Sequence, residues 1–216
     1  MPNYSNKPVL TDSDEEYSML IEVCEEFEKQ KIDKTAREKS GNPAEIVLRN
    51  HLLSGNLNLS MIPNVTIQGS KIKNDFLLLK NGVDPNQKIY PPDQVKLIIE
   101  VKNNSVGGKT LENGKLEDPN KVLRTKFNEL EATTNVRNFA VVVLSEMLLP
   151  PRTPYKWRFK EEAIGKENCK VFTLVARQLY PPGGLYIKSS ILEMLQEGQM
   201  KKTGEFQQLI NYLKCL

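Results

Sequence analysis

The six residues Phe139–Leu144 read FAVVVL, apolar without interruption. A strand with one face in water alternates apolar and polar side chains. An unbroken β-branched run of this length is a strand covered on both faces. Such a strand obliges the chain to place helices on each side of a sheet. With 216 residues, 39% of them hydrophobic, there is enough apolar material for that core.

The segments upstream supply the layers. A helix is expected over 12–34, where Tyr17, Leu20, Ile21, Cys24 and Phe27 recur at helical spacing between glutamates. Asn42 and Pro43 form a cap and first-turn pair for a second helix ending near Leu53. Three strand-like stretches follow at 63–69, 73–80 (KNDFLLLK) and 95–102 (VKLIIEVK). After a Gly/Asn/Lys loop, Asp118 and Pro119 start a third helix with Leu123, Phe127 and Leu130 inward. The strand around Phe139–Leu144 comes next. Three meandering strands and a crossover to a fourth give an α/β chain with a mixed sheet between helices. Beyond the Pro150–Pro151 break, a strand is expected over 171–177, a short strand over 185–188, and helices over 190–197 and 204–213. The chain thus divides into a loose tail (1–11), a core (12–149) and a C-terminal elaboration packed on it (150–216).

Composition removes several classes of chemistry. His51 is the one histidine, so histidine-rich metal centres are excluded, and its helical context, RNHLL, suggests a structural role. Cys24, Cys169 and Cys215 are scattered and odd in number, against a disulfide framework or zinc ribbon. The first residues, MPNYSNKPVL, show no basic segment followed by an apolar run, and no apolar run approaches a membrane span. A soluble protein of the cytoplasm, with no membrane partner, is expected. A net charge of +3 permits nucleic-acid binding only if the basic residues are concentrated locally. Catalysis would rest on carboxylates, lysines and hydroxyls.

Asp75, Glu100 and Lys102 stand out. In a strand over 95–102, Glu100 and Lys102 share the face of Ile98, while Leu97, Ile99 and Val101 fill the other. A glutamate and a lysine in so apolar a strand are costly to bury without partners. Asp75 is in the preceding strand, which should pair antiparallel, so the two carboxylates can converge. The bland alternative is a Glu–Lys pair facing solvent across the sheet. Two carboxylates suit Mg²⁺, which keeps waters in its remaining positions, and a bound cation polarises a phosphate and activates water.

The Asp of KNDFLLLK followed by the Glu-Val-Lys of LIIEVKNN resembles the PD-(D/E)XK nuclease superfamily of restriction and DNA-repair enzymes. Asn74 stands where the motif has proline. The resemblance covers residues 43–145, where the element order α-β-β-β-α-β also agrees, and implies a restriction-endonuclease-like fold. It implies Asp75 and Glu100 as ligands of Mg²⁺ (with Mn²⁺ as substitute), and Lys102 as the group that positions water or offsets charge. Members of this superfamily often carry a further acidic residue on the preceding helix, for which Glu45 is the candidate. An i,i+4 pair with Arg49 is the equal alternative for Glu45. Glu22, Glu25 and Glu26 are weaker alternatives. For nucleic-acid contact the candidates are Lys121, Arg124 and Asn128 on one face of the third helix and Lys109 in the loop before it. An ordinary solvated face is the competing reading for that helix. The implied activity is a Mg²⁺-dependent endonuclease on double-stranded DNA, of the type II restriction kind and acting as a homodimer. A repair or junction-resolving nuclease, or a catalytically silent DNA-binding module, are the alternatives.

Overall fold

The structure, a computed structural model, describes residues 15–32, 42–54, 60–104, 118–147, 159–178 and 187–216. In chain order, helices α1 (Glu15–Ile32) and α2 (Pro43–Ser54) precede strands β1 (Met61–Ile67), β2 (Asn74–Leu79), β3 (Ile89–Tyr90) and β4 (Val95–Asn104). Then come α3 (Pro119–Thr134), β5 (Phe139–Met147), α4 (Glu161–Ile164), β6 (Cys169–Arg177), α5 (Lys188–Gln196), β7 (Met200–Lys202) and α6 (Glu205–Cys215).

The seven strands among the described residues form one mixed sheet in the order β3-β1-β2-β4-β5-β6-β7. β1, β2 and β4 are an antiparallel meander. The crossover through α3 makes β5 parallel to β4, and β6 is parallel to β5. The interior position of β5 explains its sequence: Phe139–Leu144 are all buried, with alternate side chains in opposite layers. Ala140, Val142 and Leu144 face α1, α2, α5 and α6. Phe139, Val141 and Val143 face α3, with Leu123, Phe127 and Leu130.

Local chemistry sets the helix starts. The Asn42 side chain accepts the Ala44 N–H at 3.0 Å, and its carbonyl accepts the N–H groups of Glu45 and Ile46. This phases α2 from its first residue. Asp118 caps α3 through the Asn120 N–H at 2.9 Å, and α3 ends on Asn135 in the left-handed region, φ 57°. His51 of α2 lies between Glu15 and Glu22 of α1, a carboxylate oxygen 3.0 Å from each ring nitrogen. The histidine therefore joins α1 to α2, which agrees with a structural role.

The described part of 150–216 extends the same sheet and closes the same core. Glu16 of α1 accepts the N–H groups of Gly204 and Phe206, capping α6 from a distant helix. Cys24 and Cys169 are buried free thiols, and burial pushes their pKa values to about 11 and about 12, so neither is a reactive thiolate. Cys215 is free and exposed. No helix among the described residues is long and apolar enough to cross a membrane.

Three elements differ from expectation. β3, α4 and β7 have two, four and three residues, too short to carry a periodic signal. The strand expected over 185–188 is not seen at its described end: Ile187 is the cap of α5 and Lys188 its first residue. The β-type composition there yields to the helical spacing of Ile191 and Met194, both buried in the α1 layer. Residues 1–11 and Lys109 lie outside the described residues.

Candidate active site

The site forms where β2 and β4 part. Their ladder runs from Leu79↔Val95 to Phe76↔Ile99. β4 continues to Asn104, still paired with β5 on its other side. The N–H of Val101 therefore needs another acceptor, and the Asp75 carboxylate supplies it at 2.7 Å. Asp75 thus bridges the gap between diverging strands, beside the position of Glu100.

The alternation of β4 places Glu100 and Lys102 in the α3 layer with Ile98. Glu100 is only 4% exposed, so a solvent-facing pair is ruled out. Its two oxygens take separate cations: Lys102 Nζ lies 2.5 Å from Oε1, and Lys126 of α3 donates to Oε2. Burial pushes the Glu100 carboxyl up, but the two ammonium groups outweigh it and hold the group below the usual carboxylate range. Asp75 is displaced the other way. Burial and then the charge of Glu100 raise it, more than the Val101 N–H and the two lysines lower it.

Glu45, in the opposite helical layer, feels the charge of this cluster. It sits in the first turn of α2. Burial first, then the charges of Asp75 and Glu100, push its carboxyl up to about 7. Arg49, one turn along, forms no ion pair among the described residues, so the expected alternative partner is not engaged. The weaker acidic candidates are used elsewhere: Glu22 on His51, Glu25 on Lys188, and Glu26 with Lys29 at 3.6 Å.

Of the expected site residues, Asp75, Glu100 and Lys102 come together on β2 and β4, and Glu45 lies near enough to feel their charges. Lys126 was missed: it lies beside the inward stripe of Leu123, Phe127 and Leu130, and reads in sequence as one more charge of a solvated helix. The helix face proposed for nucleic acid is only partly available. Lys121 and Asn128 are exposed, whereas the Arg124 guanidinium donates to the carbonyls of Ala163 and Ile164, closing the end of α4.

Among the described residues, no three His, Cys, Asp or Glu side chains are grouped closely enough to hold a metal ion by themselves. The residues that fit a cation are Asp75 and Glu100. They offer hard oxygen donors of the kind Mg²⁺ takes, and Mg²⁺ commonly uses one or two protein carboxylates and retains water. Burial is the main cause of the upward displacement of Asp75 and Glu45, and the neighbouring carboxylates add to it, a repulsion that a cation would relieve.

The displacement of Glu45 has a measurable consequence in the metal-free protein. A glutamate ordinarily releases its proton near 4.5, whereas folded Glu45 holds it to about 7. Between those values the folded state binds more protons, so stability falls as pH rises through that window. Glu45→Gln removes the titration and should be more stable than the parent at pH 8, by about 1–2 kcal/mol after allowance for a half-exposed position. Urea unfolding of both proteins at pH 4.5 and 8 measures the difference. The same pH dependence in both would show that Glu45 feels no such field.

No family model, curated protein or solved structure matches this chain.

Proposed function

We propose that this chain is a Mg²⁺-dependent endonuclease of restriction-endonuclease-like fold that hydrolyses phosphodiester bonds in double-stranded DNA. The observation that carries this is the convergence of Asp75 and Glu100 with Lys102 and Lys126 at the opening between two strands, with Glu45 near enough to feel their charges. Three carboxyl groups and two ammonium groups suit a reaction in which an anion is attacked by water. Asp75 and Glu100 would hold the cation, which supplies charge neutralisation and a more acidic water. Lys102 and Lys126 stabilise charge that grows on the phosphate oxygens. Glu45, with a carboxyl near neutrality, is the group suited to take a proton from the attacking water. The exposed Lys121 and Asn128 extend the polar surface of α3, where the DNA backbone would run.

Within this class a type II restriction enzyme acting as a cytoplasmic homodimer is favoured over a repair or junction-resolving nuclease. Residues beyond the motif-bearing core leave room for sequence recognition or a dimer contact. A silent DNA-binding module has one observation in its favour, since both oxygens of Glu100 are already on lysines. Supercoiled plasmid incubated with Mg²⁺, Mn²⁺ or EDTA separates the readings. Nicked or linear product with either cation and none with EDTA is expected. Intact plasmid under every condition, across DNA of varied sequence, would refute the hydrolase.

A further inference from the structure

Glu45 also belongs to a groove of about 200 Å³ between α2 and the sheet, lined by Ile46, Arg49 and Asn50 of α2, Pro63 and Asn64 of β1 and Phe76 of β2. Three features set this groove apart. Arg49 is exposed and, among the described residues, makes no ion pair, although Glu45 precedes it by one turn. Asn64 lies opposite Asp75 across β1 and β2, between the rungs Pro63↔Phe76 and Val65↔Asn74. Its φ of 54° is left-handed, a conformation that costs a non-glycine residue energy inside a strand and that asparagine tolerates best. A guanidinium with no ion pair among the described residues and an asparagine on left-handed backbone thus share one cavity with Glu45.

We infer that this groove holds the phosphate next to the one cleaved, with Arg49 bound to its non-bridging oxygens and Asn64 donating its amide. The inference rests on the nuclease reading and names the part of the substrate strand that lies along α2. Residues one helical turn apart have Cβ atoms about 5–6 Å apart, and neighbouring phosphates of one strand are spaced on the same scale. Glu45 feels the charges of Asp75 and Glu100 and lines the groove together with Arg49, so a strand that leaves the carboxylates past Glu45 meets Arg49 next. The guanidinium fork matches two phosphate oxygens, and it offsets the repulsion that Glu45 would exert on an anion. The cavity has room for a phosphodiester group with its waters. Arg49 and Asn64 are positioning residues here: they touch the strand, not the reacting phosphorus.

The test is binding of a duplex oligonucleotide in Ca²⁺, followed by fluorescence anisotropy over a range of salt. For the wild-type chain, log affinity should fall with log salt. Arg49→Ala should reduce that slope by about 1, as loss of a single phosphate contact does, and weaken binding about tenfold. Arg49→Lys should restore the slope and not the full affinity, because the charge returns without the fork. Asn64→Gly keeps the left-handed backbone and should weaken binding with the slope unchanged. An Arg49→Ala slope equal to wild type, or no binding by the wild-type chain, overturns the inference. Arg49-dependent binding without plasmid cleavage would sink the hydrolase and leave the groove standing, whereas cleavage with an Arg49-independent slope would do the reverse.

Discussion

Glu100→Gln should lower plasmid cleavage by at least about a thousandfold, the scale of losing a central electrostatic group in a water-poor site. The substitution keeps the shape of the side chain and removes its charge. In the parent, that charge is buried and holds two ammonium groups, Lys102 and Lys126, on separate oxygens. The amide cannot hold them so, and it is a poor ligand for a hard cation. Both lysines are partly exposed, so they can turn to water and the fold should survive. Circular dichroism and an unfolding curve separate loss of chemistry from loss of structure. A Glu100→Gln variant that folds and still cuts within tenfold of wild type would leave the cluster without a catalytic role.

The second large effect is on stability. Phe127 and Phe139 are both fully buried and stack, ring centroids 4.3 Å apart and planes at 21°. This pair fastens α3 to β5, and α3 is the element that carries Lys126 next to Phe127. Phe127→Ala should cost about 3–5 kcal/mol, the usual range for emptying an aromatic site in a packed core. The same change loosens the position of Lys126 relative to Glu100. Chemical denaturation reads the first effect. Cleavage measured at a temperature where the variant is still folded reads the second, with activity expected to fall. A loss below about 1 kcal/mol would mean that α3 is held mainly by its other contacts.

Much of this arrangement is visible in the order of residues because the relevant physics is local. FAVVVL demands two covered faces wherever it lies, and β5 has them. Asn42-Pro43 and Asp118-Pro119 announce helix starts through their own side chains, and both caps form. Period-two alternation fixes Glu100 and Lys102 on one face without knowledge of any neighbour. What could not be read depends on contacts between distant segments. Lys126 is distinguished from Lys121 only by the rotation of α3 against β4. Arg124 resembles a phosphate ligand until α4, four residues long, presents its carbonyls. The Asp75 bond to Val101 exists because two strands diverge, and nothing in either strand's composition encodes divergence. β3 and β7 are strands only by virtue of the edges they join.

Asp75 and Glu100 are proposed to share one divalent cation. Titration of Mn²⁺ into the metal-free protein, followed by the loss of the free-ion electron paramagnetic resonance signal, tests it most directly. A saturable site in the wild-type chain that disappears in both Asp75→Asn and Glu100→Gln is the predicted result. Binding that survives in either variant, or a wild-type chain that takes up no Mn²⁺, would contradict it.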